Sequence, residues 1–345
     1  IVETNLALTA GGTVNFTDST TNVTLLAIDT STGNITFIEA DGFSVSTVAG
    51  VTGVDTDSGS VALTATTGNL AVVNTAAGND IEATTTIALT ATADNAVITI
   101  AASADVESTG GAHTYTADDI LITGTITATG QSVTLKSSTG SDAINIGTSA
   151  NGTGDTLQFT NAELQSIAAT TLTIGASGAG AITISGDVTP GSGSGGNVTT
   201  VALITGSTIT ATAGGIVETN LALTAGGTVN FTDTTTDVDN LAVSAASQTV
   251  TFTDSDGIDI DTVAGVAGVT ATEFRLTAAG AVTQAQAIAV TSPVVVTTGT
   301  GAVTLTNASN AVTNLAIDVN SGNIAYTDSD GFSVTTVNSD RKSVV

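Results

Sequence analysis

The stretch IVETNLALTAGGTVNFTD, residues 1–18, returns letter for letter as residues 216–233. Eighteen identities in eighteen positions are a copy and not a convergence. The echo runs on: residues 41–54, DGFSVSTVAGVTGV, match residues 256–269, DGIDIDTVAGVAGV, at the same 215-residue offset, so that 1–54 reappears as 216–269. A third copy follows, because 312–337 matches 23–48 at 16 of 26 positions. The chain is a repeat array.

Inside each copy a shorter rhythm places an apolar residue, a small or polar one and another apolar one in succession. Leu6-Ala-Leu8, Val14-Asn-Phe16, Ile35-Thr-Phe37, Val133-Thr-Leu135, Ile182-Thr-Ile184 and Val250-Thr-Phe252 all keep this period of two, the signature of a strand with one face inward. Turn signals such as Gly11-Gly12, Ser31-Thr-Gly-Asn34 and Ser138-Thr-Gly140 separate them. Short strands at such spacing also suit a sandwich or a barrel. The long copies decide: each coil of a solenoid buries its inward side chains by stacking on its neighbours, so copying a block of coils only extends the stack. The expected fold is all-β, a parallel β-helix (β-solenoid) forming an elongated rod, one continuous solenoid over 1–345 with a loop insertion at 190–197 around Gly191-Ser-Gly-Ser-Gly-Gly196. Coil length stays open between about 20 residues (two strands) and about 28 (three), which gives a rod of roughly 80 or 60 Å at ~4.8 Å per rung.

Composition fits a narrow coil. Of 345 residues 72 are Thr and 38 Gly, only 3% are aromatic, and Cys, Met and Trp are absent. Disorder is excluded by 41% hydrophobic content. No apolar run approaches the ~18 residues of a membrane-spanning helix. Four cations against 31 carboxylates leave a net charge of -27, which repels nucleic acid and anionic membrane surfaces. Without cysteine there is no disulfide, zinc finger or thiol catalysis. The acidic, lysine-poor, Thr-rich balance points outward, to a secreted chain. No signal peptide is visible and the first residue is Ile1, inside a recurring motif, so a processed piece of something longer is expected.

The strings at residues 219–231 (TNLALTAGGTVNF), 276–284 (LTAAGAVTQ), 157–167 (LQFTNAELQSI) and 172–175 (LTIG) resemble the repeat regions of filamentous-haemagglutinin-like bacterial exoproteins. The resemblance covers nearly the whole chain. It implies a right-handed parallel β-helix, two-partner or related secretion, and service as a surface adhesin or fibre. The family's amino-terminal secretion domain with its Asn-Pro motifs has no counterpart here.

Catalysis is weighed first, because polysaccharide-cleaving enzymes also use parallel β-helices and paired carboxylates. Neutralising an acidic polymer needs cations, and Lys136, Arg275, Arg341 and Lys342 are scattered or terminal. The sole histidine, His113, beside Tyr115, is read as a strand-face residue. Calcium is weighed next at Asp254-Ser-Asp256-Gly257 with Asp259 and Asp261, and at Asp328-Ser-Asp330-Gly331. Alternating carboxylates suit a hard cation, but the EF-hand glutamate and the glycine-rich nonapeptide are missing, so an acidic turn entering a strand is expected. Thr-x-Thr pairs at Thr64/Thr66, Thr90/Thr92, Thr125/Thr127 and Thr208/Thr210, and seven Asn-x-Ser/Thr sequons, match chance, with no single coil period joining the threonines. No catalytic, cofactor or metal residue is therefore assigned. The expected function is a structural rod of an extracellular bacterial filament, sheath or adhesin stalk that self-associates or polymerises head to tail, with Arg341 and Lys342 as a cationic end. The alternative is an adhesin whose solenoid loops bind a glycan or protein receptor.

Overall fold

The computed structural model describes residues 1–75, 78, 80–148, 155–193 and 198–334. The protein is a parallel β-solenoid, formed as two compact units, residues 1–175 with 189–199 and residues 176–188 with 200 onward. The first copy of the recurring coil lies in one unit and the second in the other.

In the first unit, Val2–Ala10 lies in parallel on Asn22–Thr30, with Leu6 against Leu26 and Leu8 against Ile28. Val14–Phe16 lies on Ile35–Glu39. Asn22–Thr30 then receives two strands of the next coil, Phe43–Val45 on its first half and Val54–Thr56 on its second. A single long strand therefore turns a corner and serves two sides, so even the tight coils have three sides. The register advances by 20 residues from Leu6 to Leu26, by 26 from Leu63 to Leu89 and by 28 from Leu70 to Ile98. Both lengths left open by the sequence occur, and the difference lies in the corners. The second unit repeats the plan: the 18-residue strand Asp237–Asp254 runs along all three sides and pairs with Val217–Ala225, Val229–Phe231 and Val269–Ala278.

Stacking in register turns the triplets into files of like side chains. Leu8, Ile28, Val54, Ile81, Val106 and Ile126 form one file through six coils. Leu203, Leu223, Val243, Val269 and Ile288 form its equivalent in the second unit. Nearly all are fully buried, each contributing on the order of 1.5–3 kcal/mol. The few aromatics stack too: Phe231 lies on Phe252 at 5.3 Å between ring centres, and Phe37 meets Phe16 at 6.0 Å and Phe43 at 5.6 Å.

Two antiparallel hairpins depart from the parallel plan, Thr47–Val48 with Val51–Thr52 and Thr262–Val263 with Val266–Ala267. Each turns on an Ala-Gly pair at positive φ, Ala49 at 51° with Gly50 at 86° and Ala264 at 49° with Gly265 at 82°. Two successive left-handed residues make the tight turn that matches strand twist. The chain re-enters the coil at Gly53 and Gly268, also at positive φ, where a Cβ would strike the carbonyls of Asp80 and Ala287 of the next coil. The hairpins roof the outer surface. Val263 packs with Ala202, Ala222 and Ala242, joined by Val266, which buries the outward alanines of Leu-Ala-Leu triplets that alternation alone would leave in water.

The only α-helix among the described residues, Asn161–Leu164, starts with a capping box: Thr160 Oγ1 accepts from Glu163 N–H at 3.3 Å and Glu163 Oε2 from Thr160 N–H at 2.8 Å. Glu163 Oε1 also accepts from Ile122 N–H at 3.1 Å. No helix among the described residues is long and apolar enough to cross a membrane.

Candidate functional site

His113 stands on a strand face, and that face is the inward one. It is fully buried, inside the coil, on His113–Thr116. Its Nδ1 lies 3.1 Å from Tyr115 Oη and its Nε2 2.8 Å from Ser108 Oγ, which donates onward to Gly111 O at 2.5 Å. Because the Ser108 hydrogen is spent on Gly111, Nε2 carries the imidazole proton and donates it, and Nδ1 accepts from the tyrosine. Every polar atom is satisfied by a neutral ring, and burial pushes the imidazole down to about 4. A histidine and serine at this distance resemble a catalytic pair, but His113, Ser108 and Tyr115 are all fully buried; they fill the core as one polar cluster.

The acidic turns are a corner device built three times. Glu39 Oε1 accepts from Val23 N–H at 3.3 Å, Asp254 Oδ1 from Val238 N–H at 3.0 Å, and Asp328 Oδ2 from Val312 N–H at 3.2 Å, each from 16 residues earlier. The acid ends the third side of a coil and reaches back to the first amide of the same coil. Asp254 and Asp328 also accept from the amides of Asp256 and Asp330 at 3.1 and 3.2 Å. Burial pushes Asp254 up to about 7, with Asp256 and Asp237 adding to the rise against the two backbone donors. Asp259 and Asp261 do not join it: Asp259 accepts from Thr283 Oγ1 of the next coil at 2.8 Å, and Asp261 from Thr262 N–H at 2.7 Å. Asp237, which the sequence reading passed over, does. Asp237, Asp254 and Asp256 bring one carboxylate oxygen each within 4.8 Å of one another.

A second acidic feature has no sequence signal at all. Asp29, Asp55, Glu82 and Glu107 stand in register on four consecutive coils, one rung apart. Partial burial, followed by Glu82, Asp57 and Asp29, pushes Asp55 up to about 6. The spacings are 26, 27 and 25 residues, and this drift hides the file from any search at fixed period.

The threonine expectation needs a correction. Thr64, Thr90 and Thr116 do stack at a constant 26-residue step on consecutive coils. Their pair partners Thr66 and Thr92 also lie one coil apart, with Thr92 Oγ1 donating to Thr66 O at 2.7 Å, while the file on the other side holds Ala62, Ala88 and Thr114. Arg275 is tied to Glu273 in an ion pair, and Lys136 ends the strand Thr125–Lys136. Arg341 and Lys342, the tail of the third copy, the sequons at Asn151 and Asn197 and residues 194–196 of the glycine-rich loop lie outside the described residues. Compared with family models, curated proteins and solved structures, the chain finds no match.

Proposed function

We propose that this chain is a non-catalytic structural segment of an extracellular bacterial filament, sheath or adhesin stalk, similar in role to the fibres of filamentous-haemagglutinin-like exoproteins. The observation that carries this reading is the recurring coil: the same 18 residues begin a 20-residue register step in both units, Leu6 to Leu26 and Leu221 to Leu241. A sequence kept identical in two places, with its inward side chains in the equivalent file of each unit, serves stacking. The reactive side-chain types support the same view, since His113 is sealed in the core and the corner acids are held by backbone amides.

The test is cryo-electron microscopy of the native material. Continuous fibres with a ~4.8 Å axial repeat are expected. Discrete particles that capture a glycan or protein on an array would overturn the filament in favour of the receptor-binding adhesin, and time-dependent cleavage of a bound sugar would overturn both.

A further inference from the structure

The three corners differ in the residue just before the valine whose amide the corner acid accepts. That residue is Asn22 in the first copy, Asp237 in the second and Ala311 in the third. In the first, Asn22 Nδ2 donates to Asp41 Oδ2 at 2.5 Å and ties the start of the coil to the turn that ends it. In the second, Asp237 faces Asp256, the equivalent of Asp41, with both within 4.8 Å of Asp254. An amide brings its own hydrogen to this bridge. Two carboxylates must take one from water, and two negative charges this close do not both persist cheaply.

We infer that Asp237 and Asp256 form a proton-operated latch, closed by one shared proton into the bridge that Asn22 and Asp41 keep permanently, and opened when that proton leaves. In the closed state a proton from solvent sits on an Asp237 oxygen, the O–H donates to Asp256, and the pair carries one negative charge. Release returns the proton to water and leaves two charges at the coil's corner.

The surroundings favour the closed state. Burial, then the charges of Asp256 and Asp239, raise the Asp237 carboxyl, while Ser255 opposes the rise. No cation faces the pair from the described neighbours. In the preceding coil Val217 stands in register with Asp237, and Glu218 with Val238. In the following coil Ala278 stands beside Asp254, and Gly280 N–H bonds to Asp256 O. Asp233, on the preceding turn, is held by Thr235 at 2.9 Å.

Melting temperatures of the intact chain at about pH 8 and about pH 4.5 test the latch. Asp237→Asn, which installs the first copy's amide, is expected to melt roughly 2–4 °C above wild type at the higher pH and to lose that advantage at the lower. Asn22→Asp is expected to mirror it, less stable than wild type at high pH and restored at low pH. A difference between Asp237→Asn and wild type that is the same at both values overturns the latch. So does a carboxyl ¹³C titration in wild type that places Asp237 in the ordinary aspartate range. Calcium chloride in millimolar excess is expected to leave the wild-type melt at high pH unchanged; a rise equal to that of Asp237→Asn would replace the proton by a cation and overturn the inference.

Discussion

At the scale of single residues, the fold meets its polar requirements with groups whose protonation is fixed by burial. His113 holds a folded-state value of about 4 against 6.5 for a free imidazole. The unfolded chain therefore takes up a proton between these values that the folded chain refuses, and stability falls as pH drops through that window, by about 3 kcal/mol at its lower end. His113→Leu should destabilise at neutral pH by about 2–3 kcal/mol, because Ser108 and Tyr115 lose their partner. The gap to wild type should narrow toward about pH 4.5 in denaturant melts. Asp254 has the opposite sign: raised to about 7 from 3.8, it contributes stability below the unfolded value that is lost as pH rises through 7. Ala264, at φ 49°, pays a steric penalty that asparagine tolerates better. Ala264→Asn should raise stability by about 0.5–1 kcal/mol in the same melts.

At the scale of elements, parallel register gives this protein both its core and its strain. The same rung spacing that places Leu8, Ile28 and Val54 on one another places Asp29, Asp55, Glu82 and Glu107 on one another. Aliphatic files gain by this and carboxylate files lose. Asp55→Asn should stabilise the first unit at about pH 8, and the gain should shrink below about pH 5, where wild-type Asp55, raised to about 6, is protonated. The hairpins work differently, by covering outward alanines. Ala222→Glu, which forces a charge under the Val263 roof, should cost about 2–4 kcal/mol, whereas a Glu at the outward Thr224 should be nearly neutral. Thermal or denaturant melts separate the two.

At the scale of the whole molecule, a net charge of -27 with four cations leaves few attractive ion pairs and much repulsion. Raising sodium chloride from about 10 mM to about 0.5 M should raise the melting temperature, because screening shortens the reach of like charges from ~30 Å to a few Å. A chain stabilised by surface salt bridges would respond the other way, and a lower melting temperature in salt would contradict the charge-repulsion account. In the proposed filament the same repulsion would keep neighbouring fibres apart, while axial stacking would run through backbone hydrogen bonds, which salt scarcely affects.

The sequence by itself determined the solenoid. The copy of residues 1–18 at 216–233 and the period of two in triplets such as Val14-Asn-Phe16 required stacked coils with an apolar interior, because both signals are local or literal and neither depends on where corners fall. It also marked two of the three acidic turns, those at Asp254 and Asp328, and not the one at Glu39. Tertiary structure alone decided what those turns do, since Asp254 meets Val238 and Asp237 across a coil, with the two ends of that coil brought together by closure and not by proximity in sequence. The carboxylate file, the threonine file at Thr64, Thr90 and Thr116, and the interior place of His113 were likewise set by register. Corners absorb extra residues without disturbing the sides, so coil length drifts from 20 to 28 and reaches 41 between Ile126 and Ile167. A sequence cannot reveal which residues are neighbours until every corner has been closed.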